Sequence, residues 1–265
     1  MTKKPVSGTK EWADGSANIQ RGCEHACWYC FARVKDPDPA TWSHVISKPL
    51  GEHKKRPNRI MFPTQHDITP DNLKKVLGAL PILLDRADNL LLVSKPHFMC
   101  IKDVIHTLWA LYNQKILKSM ERIMFRFTIG TRDNEELAFW EPGAPTYEER
   151  VASLVYAHSM GFQTSVSCEP ALGLPEMYPG LVKDLSPYVT DAIWIGKMNH
   201  VLDRLLANNV PAVVMARGLW LEKQWMDTRV FWLYNKLKDN PKVKWKDSIK
   251  EVVGLDRPTT PGDDR

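Results

Sequence analysis

The sequence predicts an α/β protein that folds as an open, partial (β/α)6 TIM-like barrel with a helical, basic C-terminal extension. Short apolar or β-branched segments alternate with helical patterns about six times, which is typical of parallel strands with right-handed crossovers. The 265 residues leave room for six strand–helix units of roughly 30 residues each, but hardly for eight. We therefore expect an N-terminal tail at residues 1–16, a barrel at 17–216 and the extension at 217–265.

Six segments are predicted as strands because they are apolar or β-branched runs bounded by turn or polar residues. In chain order they are residues 18–20, 59–64, 89–94, 122–130, 162–167 and 192–196. The chemistry of parallel barrels lies where strands end and loops begin. Candidate site residues are therefore sought at 64–67, 94–96, 128–132, 168–170 and 196–199.

Several helices have recognisable ends. Thr69-Pro70-Asp71 predicts an N-cap followed by proline at the first helical position. Residues 146–149, Thr-Tyr-Glu-Glu, form a capping box, and Gly161 predicts the end of that helix. Apolar residues also recur at helical spacing from Ile101 to Ile116, which predicts a helix with one buried face.

Composition excludes several classes of protein. Hydrophobic residues make up 43% of the chain and charged residues 25%, a balance that excludes wholesale disorder. No apolar run approaches the roughly 18–20 residues that cross a bilayer. The lysines near Met1 are not followed by an apolar segment, so a secretory signal is not expected. We expect a cytoplasmic protein that does not enter a membrane.

Positive charge is concentrated near the C-terminus. Between Arg217 and Lys250, nine basic residues face four acidic ones, which accounts for the whole formal net charge of +5. Basic side chains bind phosphate and aromatic faces stack on bases, so residues 217–250 are a candidate nucleic-acid-binding surface. The other interpretation is an amphipathic helical tail whose aromatic residues cover the core. The interleaved aromatic residues are Trp220, Trp225, Phe231, Trp232, Tyr234 and Trp245.

Three of the five cysteines, Cys23, Cys27 and Cys30, have the spacing C-x3-C-x2-C. Thiolates favour zinc or iron–sulfur clusters, and three in one loop can bind one site. Three ligands on a four-iron cluster would leave one iron open to an external group. Structural zinc is the competing interpretation and needs a fourth ligand. His25 is too confined by its neighbours to complete a good tetrahedron, so His44 or His53 would supply that ligand.

Residues 18–33 read Asn-Ile-Gln-Arg-Gly-Cys-Glu-His-Ala-Cys-Trp-Tyr-Cys-Phe-Ala-Arg. This string resembles the signature of radical S-adenosylmethionine (SAM) enzymes, and in particular of their spore photoproduct lyase-like (DNA repair photolyase-like) branch, N-x-x-x-G-C-x-H-x-C-x-Y-C-Y/F-A-R. Weaker similarity continues in order through residues 93–96, 127–142 and 149–150, so the resemblance covers roughly residues 17–200. It implies the six-unit partial barrel of that superfamily, in agreement with the alternation of strands and helices.

The resemblance implies an enzyme in which Cys23, Cys27 and Cys30 hold a [4Fe–4S] cluster and SAM chelates the fourth iron. One electron from the reduced cluster would cleave SAM to methionine and a 5′-deoxyadenosyl radical, which abstracts hydrogen from a substrate. It also implies a reducing partner such as flavodoxin or ferredoxin. The branch name and the basic tail together point to nucleic acid or a nucleotide as the substrate.

The resemblance also suggests which residues contact SAM. Tyr29 occupies the position that packs near the adenine in the superfamily. Lys95 follows a predicted strand and is a candidate partner of the methionine carboxylate; the alternative is an ordinary solvated lysine. Thr128 is a candidate hydrogen-bonding group, although a β-branched residue also simply suits a strand.

Two further contacts are expected at strand ends. Glu169 is expected to touch the SAM amino group or the substrate. Gln65, His66 and Asp67 stand where the superfamily often carries Gly-Gly-Glu. This departure leaves the usual amino-group contact to Gln65 or to backbone carbonyl groups.

Cys100 and Cys168 remain outside the triplet. Cys168 lies at the predicted barrel mouth and is a candidate hydrogen donor to a product radical, the role that a cysteine plays in spore photoproduct lyase. Free cysteines are usually small buried hydrophobic side chains, and that interpretation is favoured for both. Repair of a thymine lesion does not follow from the resemblance.

Two other functions stay open. One is a non-enzymatic zinc or iron–sulfur protein that binds nucleic acid. The other is radical modification of a peptide or small metabolite, with the basic tail serving only structure.

Overall fold

The computed structural model describes residues 5–36, 38–53 and 55–263. Its strands are β1 (Gly15–Ser16), β2 (Gln20–Arg21), β3 (Ile46–Ser47), β4 (Arg59–Phe62), β5 (Asn89–Ser94), β6 (Ile123–Thr128), β7 (Gln163–Ala171), β8 (Ile193–Lys197) and β9 (Val243–Trp245). Its helices are α1 (Phe31–Val34), α2 (Leu73–Arg86), α3 (Phe98–Asn113), α4 (Asn134–Trp140), α5 (Tyr147–Ser159), α6 (Tyr178–Leu185), α7 (Val201–Ala207), α8 (Ala212–Gln224), α9 (Asp227–Leu237) and α10 (Asp247–Val253).

Seven strands form one parallel sheet in the order β1-β4-β5-β6-β7-β8-β9. An order that follows the chain without reversal is the topology of a barrel, whereas a doubly wound sheet reverses at its centre. Within the described residues, β1 and β9 remain the two edges of this sheet, so the barrel is open. The predicted fold class is therefore confirmed. None of the described helices is long and apolar enough to span a bilayer.

Five of the six predicted strands overlap β4 to β8, but the first was misplaced. The barrel begins with β1 at Gly15–Ser16, whereas β2 pairs with β3 in a separate antiparallel ribbon. The chain leaves the sheet at Asn18, whose Oδ1 accepts hydrogen bonds from the backbone N–H groups of Thr64 at 2.9 Å and Gln65 at 2.8 Å.

Side chains on the strands alternate between two faces. One series packs under the helices in the main core, including Phe62, Leu92, Phe127, Val166, Cys168 and Ile195. The other series faces the barrel interior, where Met61, Leu91, Met124 and Trp194 pack with Trp12. By this alternation, Lys95, Thr128 and Glu169 belong to the interior series.

The N-terminal segment fills the open side of the barrel. Glu11 precedes β1 and Lys246 follows β9, and their buried side chains pair at 2.6 Å. The Lys246 ammonium also lies 4.0 Å from the ring centre of Trp12. A loose polar tail was expected at residues 1–16, but the buried ion pair and indole build residues 8–16 into the barrel. Residues 1–4 of that prediction lie outside the described residues.

The C-terminal extension is integrated in the same way. The predicted boundary at residue 217 falls inside α8, and β9 adds a seventh strand by pairing with β8. Trp245 and Ile249 lie in the main core. The boundary was inferred from a change in charge, which does not mark a change in packing here. Residues 264–265 lie outside the described residues.

The helix signals were partly correct. Thr146 caps α5 by accepting a hydrogen bond from the backbone N–H of Glu149, and Gly161 follows that helix with φ +79°. Helix α2 starts later than predicted, because Asn72 rather than Thr69 organises the turn: its Oδ1 accepts from the Thr69 N–H at 3.0 Å. Helix α3 ends at Asn113 rather than near residue 116.

Trp12→Ala is expected to lower the free energy of unfolding by about 3–5 kcal/mol, the usual cost of deleting a buried large aromatic side chain. Trp12 is 6% exposed and its ring centre lies 5.7 Å from that of Trp194. Urea unfolding followed by circular dichroism measures the loss. Trp232→Ala, at a site 38% exposed on α9, is the matched control and should cost about 1 kcal/mol or less. Equal losses would contradict the integration of the N-terminal segment.

Candidate functional site

The cysteine loop runs from β2 into α1 and is shaped by left-handed residues. Gly22 has φ +88°, and a Cβ there would lie 2.7–2.8 Å from the backbone carbonyl oxygens of residues 42 and 44. Ala26 has φ +50°, and its N–H donates to the carbonyl of Cys23 at 3.2 Å. The Cys30 N–H donates to the carbonyl of Cys27 at 3.3 Å. These turns hold three free thiols close enough to influence one another's pKa.

The surroundings of the thiols oppose and favour ionisation at the same time. Burial raises the pKa of Cys23, Cys27 and Cys30 above the ordinary value. The positive charge of Lys95 lowers the pKa of each thiol, and backbone N–H groups at the start of α1 donate toward Cys30. Because metal ligands must be thiolates, Lys95 and the start of α1 favour the metal-binding form.

The donor atoms of the three cysteines are not arranged around a single tetrahedral ion. A tetrahedral zinc ion with bonds of about 2.3 Å to sulfur holds its ligand atoms about 3.8 Å apart. Among residues 5–36, 38–53 and 55–263, one group of three donor atoms has all its members within 4.8 Å of one another, and these atoms belong to Cys23, His25 and Asp67. Cys27 and Cys30 are not part of that group. In a four-iron cluster each cysteine binds a different iron, so its sulfurs lie further apart. The three thiols are therefore not gathered as the ligands of one tetrahedral ion.

The histidines expected to complete a zinc site are not placed to do so. His44 is exposed, and His53 hydrogen-bonds to the carbonyl oxygen of Ser16 at 3.0 Å. The histidine near a cysteine is His25, which the sequence argument set aside as too confined. That argument assumed that His25 would have to bind a metal held by the cysteines of its own loop. In the structure, His25 instead hydrogen-bonds to Asp67 on another loop of the barrel.

Asp67 is the centre of a buried network beside Cys23. Its Oδ2 lies 2.9 Å from His25 Nδ1, 3.2 Å from Lys95 Nζ and 3.9 Å from Cys23 Sγ. Its Oδ1 accepts from the Lys95 backbone N–H at 2.7 Å. Burial raises the pKa of Asp67, but Lys95 and His25 outweigh it and hold the pKa well below its ordinary value. The carboxylate is therefore ionised and already paired with donors, which argues against a metal ion bound by Cys23, His25 and Asp67.

The network continues away from the cysteines through His97. Its Nε2 lies 3.0 Å from His25 Nε2, and its Nδ1 lies 3.6 Å from Glu149 Oε1 at the start of α5. Burial lowers the pKa of His97, and the charge of His25 lowers it further. No spacing pattern in the sequence predicts this network, because His25, Asp67 and His97 come from three different loops.

Tyr29 lies behind the cysteine loop in a second buried network. Its hydroxyl donates to the Glu141 carboxylate, and Glu141 pairs with Arg150 at 2.5 Å with both side chains fully buried. Arg150 also donates to the carbonyl of Thr128 at 3.2 Å. The Tyr29 ring centre lies 5.9 Å from Lys95 Nζ. Contact of Tyr29 with an adenine stays a prediction; the structure places its ring between Lys95 and the core.

Three of the predicted cofactor contacts belong to the interior-facing series of side chains, and a fourth lies in an exposed loop. Lys95 follows β5, Thr128 ends β6 and Glu169 lies near the end of β7, all in the interior-facing series. Lys95 is not a solvated lysine: its side chain is 13% exposed and pairs with Asp67. Gln65 is exposed. The side chain of that loop that reaches the cysteines is Asp67.

Cys168 lies on the helix-facing side of β7 and is fully buried in the main core. Burial raises its pKa to about 12. Its neighbours along the strand, Ser167 and Glu169, belong to the face that lines the barrel. The position is that of a small hydrophobic side chain and gives no support to the hydrogen-donor hypothesis. Cys100 lies in the same core on α3.

A cavity of about 800 Å³ opens between the N-terminal segment, the ends of β7 and β8, and helices α7, α8 and α10. Arg204 connects the cavity with the loop. Burial lowers the pKa of Arg204, while the charges of Glu169, Cys30 and Tyr29 raise it. Asn208 fixes α7 to the loop, since its Nδ2 donates to the carbonyls of residues 28 and 30 at 2.8 and 3.1 Å.

Several basic side chains of the tail form ion pairs or hydrogen bonds with other parts of the chain. Arg217 pairs with Glu136, Arg229 with Glu176 and Lys246 with Glu11. Lys242 donates to the carbonyls of residues 186 and 189 at 2.8 Å each. Lys223, Lys236 and Lys238 are exposed, whereas Lys250, Trp225 and Trp245 are buried. Trp220, Phe231 and Trp232 are exposed, and Arg217 is partly exposed, so nucleic-acid binding by residues 217–250 stays a prediction.

Comparisons with known proteins identify the fold. No protein-family model and no curated protein sequence matches the chain. Among solved structures, spore photoproduct lyase complexed with dinucleoside spore photoproduct matches with a TM-score of 0.55 and 14% identity over 92% of this chain and 79% of that one. A mutant with bound AdoMet and the same ligand gives 0.54 and 14% over 91% and 78%.

A further mutant with that ligand gives a TM-score of 0.51 and 14% identity; 84% of this chain matches, over 63% of the length of that one. This chain thus has the fold of spore photoproduct lyase. At such low identity the likeness shows the fold, and activity must be argued from the site.

Asp67→Asn is expected to lower the free energy of unfolding by about 3–5 kcal/mol, because it leaves the buried Lys95 ammonium without its anion. The depressed pKa of Asp67 means that its stabilisation is complete above about pH 4 and is lost at lower pH. Urea unfolding at several pH values measures both effects. Asp88→Asn, which breaks an exposed pair with Arg56, is the control and should cost less than about 1 kcal/mol. A loss of that small size in Asp67→Asn would contradict the network.

Proposed function

We propose that this chain is a radical SAM enzyme. The observation that carries the proposal is the C-x3-C-x2-C loop, whose three free thiols lie at the mouth of an open parallel barrel with the fold of spore photoproduct lyase. When bound at these thiols, a [4Fe–4S] cluster would supply one electron to SAM, which splits into methionine and a 5′-deoxyadenosyl radical that removes hydrogen from a substrate.

Cys23, Cys27 and Cys30 are the residues that would bind three of the irons. No other cysteine can supply a fourth thiolate, because Cys100 and Cys168 are both buried in the helix-facing core. Lys95 lies next to all three ligands and lowers the pKa of their thiols. The Lys95 ammonium is held in place by Asp67 at 3.2 Å. The site therefore keeps a fixed positive charge close to the thiolates.

Three of the remaining predicted cofactor residues lie at strand ends or beside Lys95. Thr128 and Glu169 belong to the interior face at strand ends, and Tyr29 packs beside Lys95. The adjoining cavity of about 800 Å³ is within the usual range of small-molecule sites, about 300–1,000 Å³. We propose that these residues would bind SAM at the barrel mouth.

Protection of a reactive intermediate requires that water and other side chains be kept away. The floor of the barrel is closed by Trp12, Trp194 and Arg126, whose guanidinium lies 4.5 Å from the Trp12 ring centre. Arg126 is fully buried and fixed by Asp191 at 3.0 Å. The proposed substrate therefore enters from the mouth and not through the barrel.

Two substrate classes have support. The similar structures that hold dinucleoside spore photoproduct favour a nucleotide or nucleic acid, as the branch resemblance suggested. The charges of the cavity favour a cationic small molecule or peptide, for the reasons given in the next subsection. Reductive incubation with SAM and each class, followed by mass spectrometry of the products, distinguishes them. A reducing protein such as flavodoxin or ferredoxin is proposed as the electron donor in the cell.

Anaerobic reconstitution with iron and sulfide should give a brown protein with four irons per chain that forms 5′-deoxyadenosine from SAM after reduction with dithionite. Cys23→Ala, Cys27→Ala and Cys30→Ala should each lose most of the iron and all of the product. Cys100→Ala and Cys168→Ala are matched controls, because both thiols lie in the core, and should retain iron and product. Metal analysis and chromatography measure the two quantities.

The opposing outcome is a colourless protein that keeps one zinc ion per chain and forms no 5′-deoxyadenosine. Retention of iron in the three loop variants would also contradict the proposal.

A further inference from the structure

Two buried carboxylates in the wall of the cavity each have an oxygen without a hydrogen-bond partner. Glu11 is 0% exposed and Asp247 is 6% exposed. Glu11 Oε1 pairs with Lys246, but within the described part of the chain Glu11 Oε2 and Asp247 Oδ1 have no partner. Buried polar atoms are nearly always hydrogen-bonded, and an unpaired one costs about 1–3 kcal/mol. Both residues line the same cavity, which indicates that a ligand supplies the missing donors.

The charge of the wall indicates what kind of donor this is. Seven acidic residues line the cavity, against three lysines and arginines. The Lys246 ammonium below them lies between Glu11 at 2.6 Å and Glu169 at 3.5 Å, so one cation is shared by two carboxylates. Clefts lined by one sign of charge concentrate ligands of the opposite sign and repel those of the same sign. A phosphodiester chain is therefore disfavoured here.

A bound metal ion does not account for the wall. Within the described ranges, the oxygens of Glu11, Glu169 and Asp247 are not among the donor atoms that gather within 4.8 Å of one another. The carboxylate oxygens of the wall are therefore further apart than the ligands of one metal ion. This spacing suits an organic cation, whose several N–H donors point in different directions.

We propose that this cavity recognises a protonated amine or guanidinium group of the substrate, with Glu11 and Asp247 as its hydrogen-bond acceptors. Glu169, at the barrel mouth beside Arg204, borders the cavity on the side of the cysteine loop. A cation held at Glu11 and Asp247 thus shares the cavity with Glu169 and Arg204. The assignment of the ligand as a substrate rests on the proposed radical chemistry; the binding of the cation does not.

The titration of Glu11 supports this assignment. Burial raises the pKa of Glu11 to about 7; Lys246 opposes the rise, and the charges of Glu169 and Asp247 add to it. Burial likewise raises the pKa of Asp247, against the charges of Lys246, Arg257 and Lys250. A bound cation favours the ionised carboxylates, so its affinity should increase as the pH rises from 6 to 8.

Isothermal titration calorimetry on the purified chain tests the proposal without the loaded enzyme. The probes are spermidine, a lysine-containing peptide, the same peptide with acetylated lysine, and a thymidine dinucleotide. We expect at least one of the first two to bind and to bind more weakly at pH 6 than at pH 8, with no binding of the acetylated peptide. Spermidine alone would identify a small amine as the ligand, and the peptide alone a side chain of a protein.

Variants locate the binding. Glu11→Gln and Asp247→Asn should each weaken the cation at least about tenfold, equivalent to about 1.4 kcal/mol. Glu11→Gln removes the ion pair of Glu11 with Lys246 and can prevent folding. Asp247→Asn leaves that ion pair in place, so this variant still tests the proposal if Glu11→Gln does not fold. Glu176→Gln, which lies outside the cavity and pairs with Arg229, is the matched control and should bind as the unchanged chain does.

Binding of the dinucleotide alone, or cation binding that neither variant weakens, would overturn this proposal and leave the radical chemistry standing. Cation binding by a protein that never forms 5′-deoxyadenosine would instead support the cation site and contradict the proposed function.

Discussion

The buried ion pair between Asp67 and Lys95 is the interaction on which the site depends. Lys95 follows β5 and Asp67 lies in the loop after β4, so the pair joins two neighbouring strand ends directly below the cysteine loop. The same carboxylate contacts His25 and Cys23 of that loop. Loss of one partner of a buried ion pair strongly destabilises a protein. The pair therefore couples the position of the cysteine loop, the charge near its thiols and the geometry of the two strand ends.

The open barrel imposes a second constraint, because the edges of a parallel sheet must be covered. Here the N-terminal segment and the C-terminal extension meet through Glu11, Trp12 and Lys246 on the side between β1 and β9. This seam also forms one wall of the cavity. A carboxylate that joins the two ends of the chain thus lines the space in which we propose that the substrate binds, which couples closure of the barrel to recognition.

The sequence predicted the fold and identified candidate ligand cysteines because both are local signals. Alternating strands and helices predicted β4 to β8, and the spacing of Cys23, Cys27 and Cys30 identified the candidate metal loop. It did not predict the network around Asp67 or the seam at Glu11, since these join residues far apart in the chain. The basic tail shows the same limit: composition shows that lysines and arginines are present, but not that Arg217, Arg229 and Lys246 pair with carboxylates from other parts of the chain.

We propose that three cysteines bind a cluster and leave one iron open to SAM. Electron paramagnetic resonance of the reduced, reconstituted protein, recorded before and after addition of SAM, tests this proposal. We expect the signal of a reduced four-iron cluster, and we expect its shape to change when SAM binds. A signal that SAM leaves unchanged would mean that a protein side chain already caps the fourth iron, and would contradict the proposal.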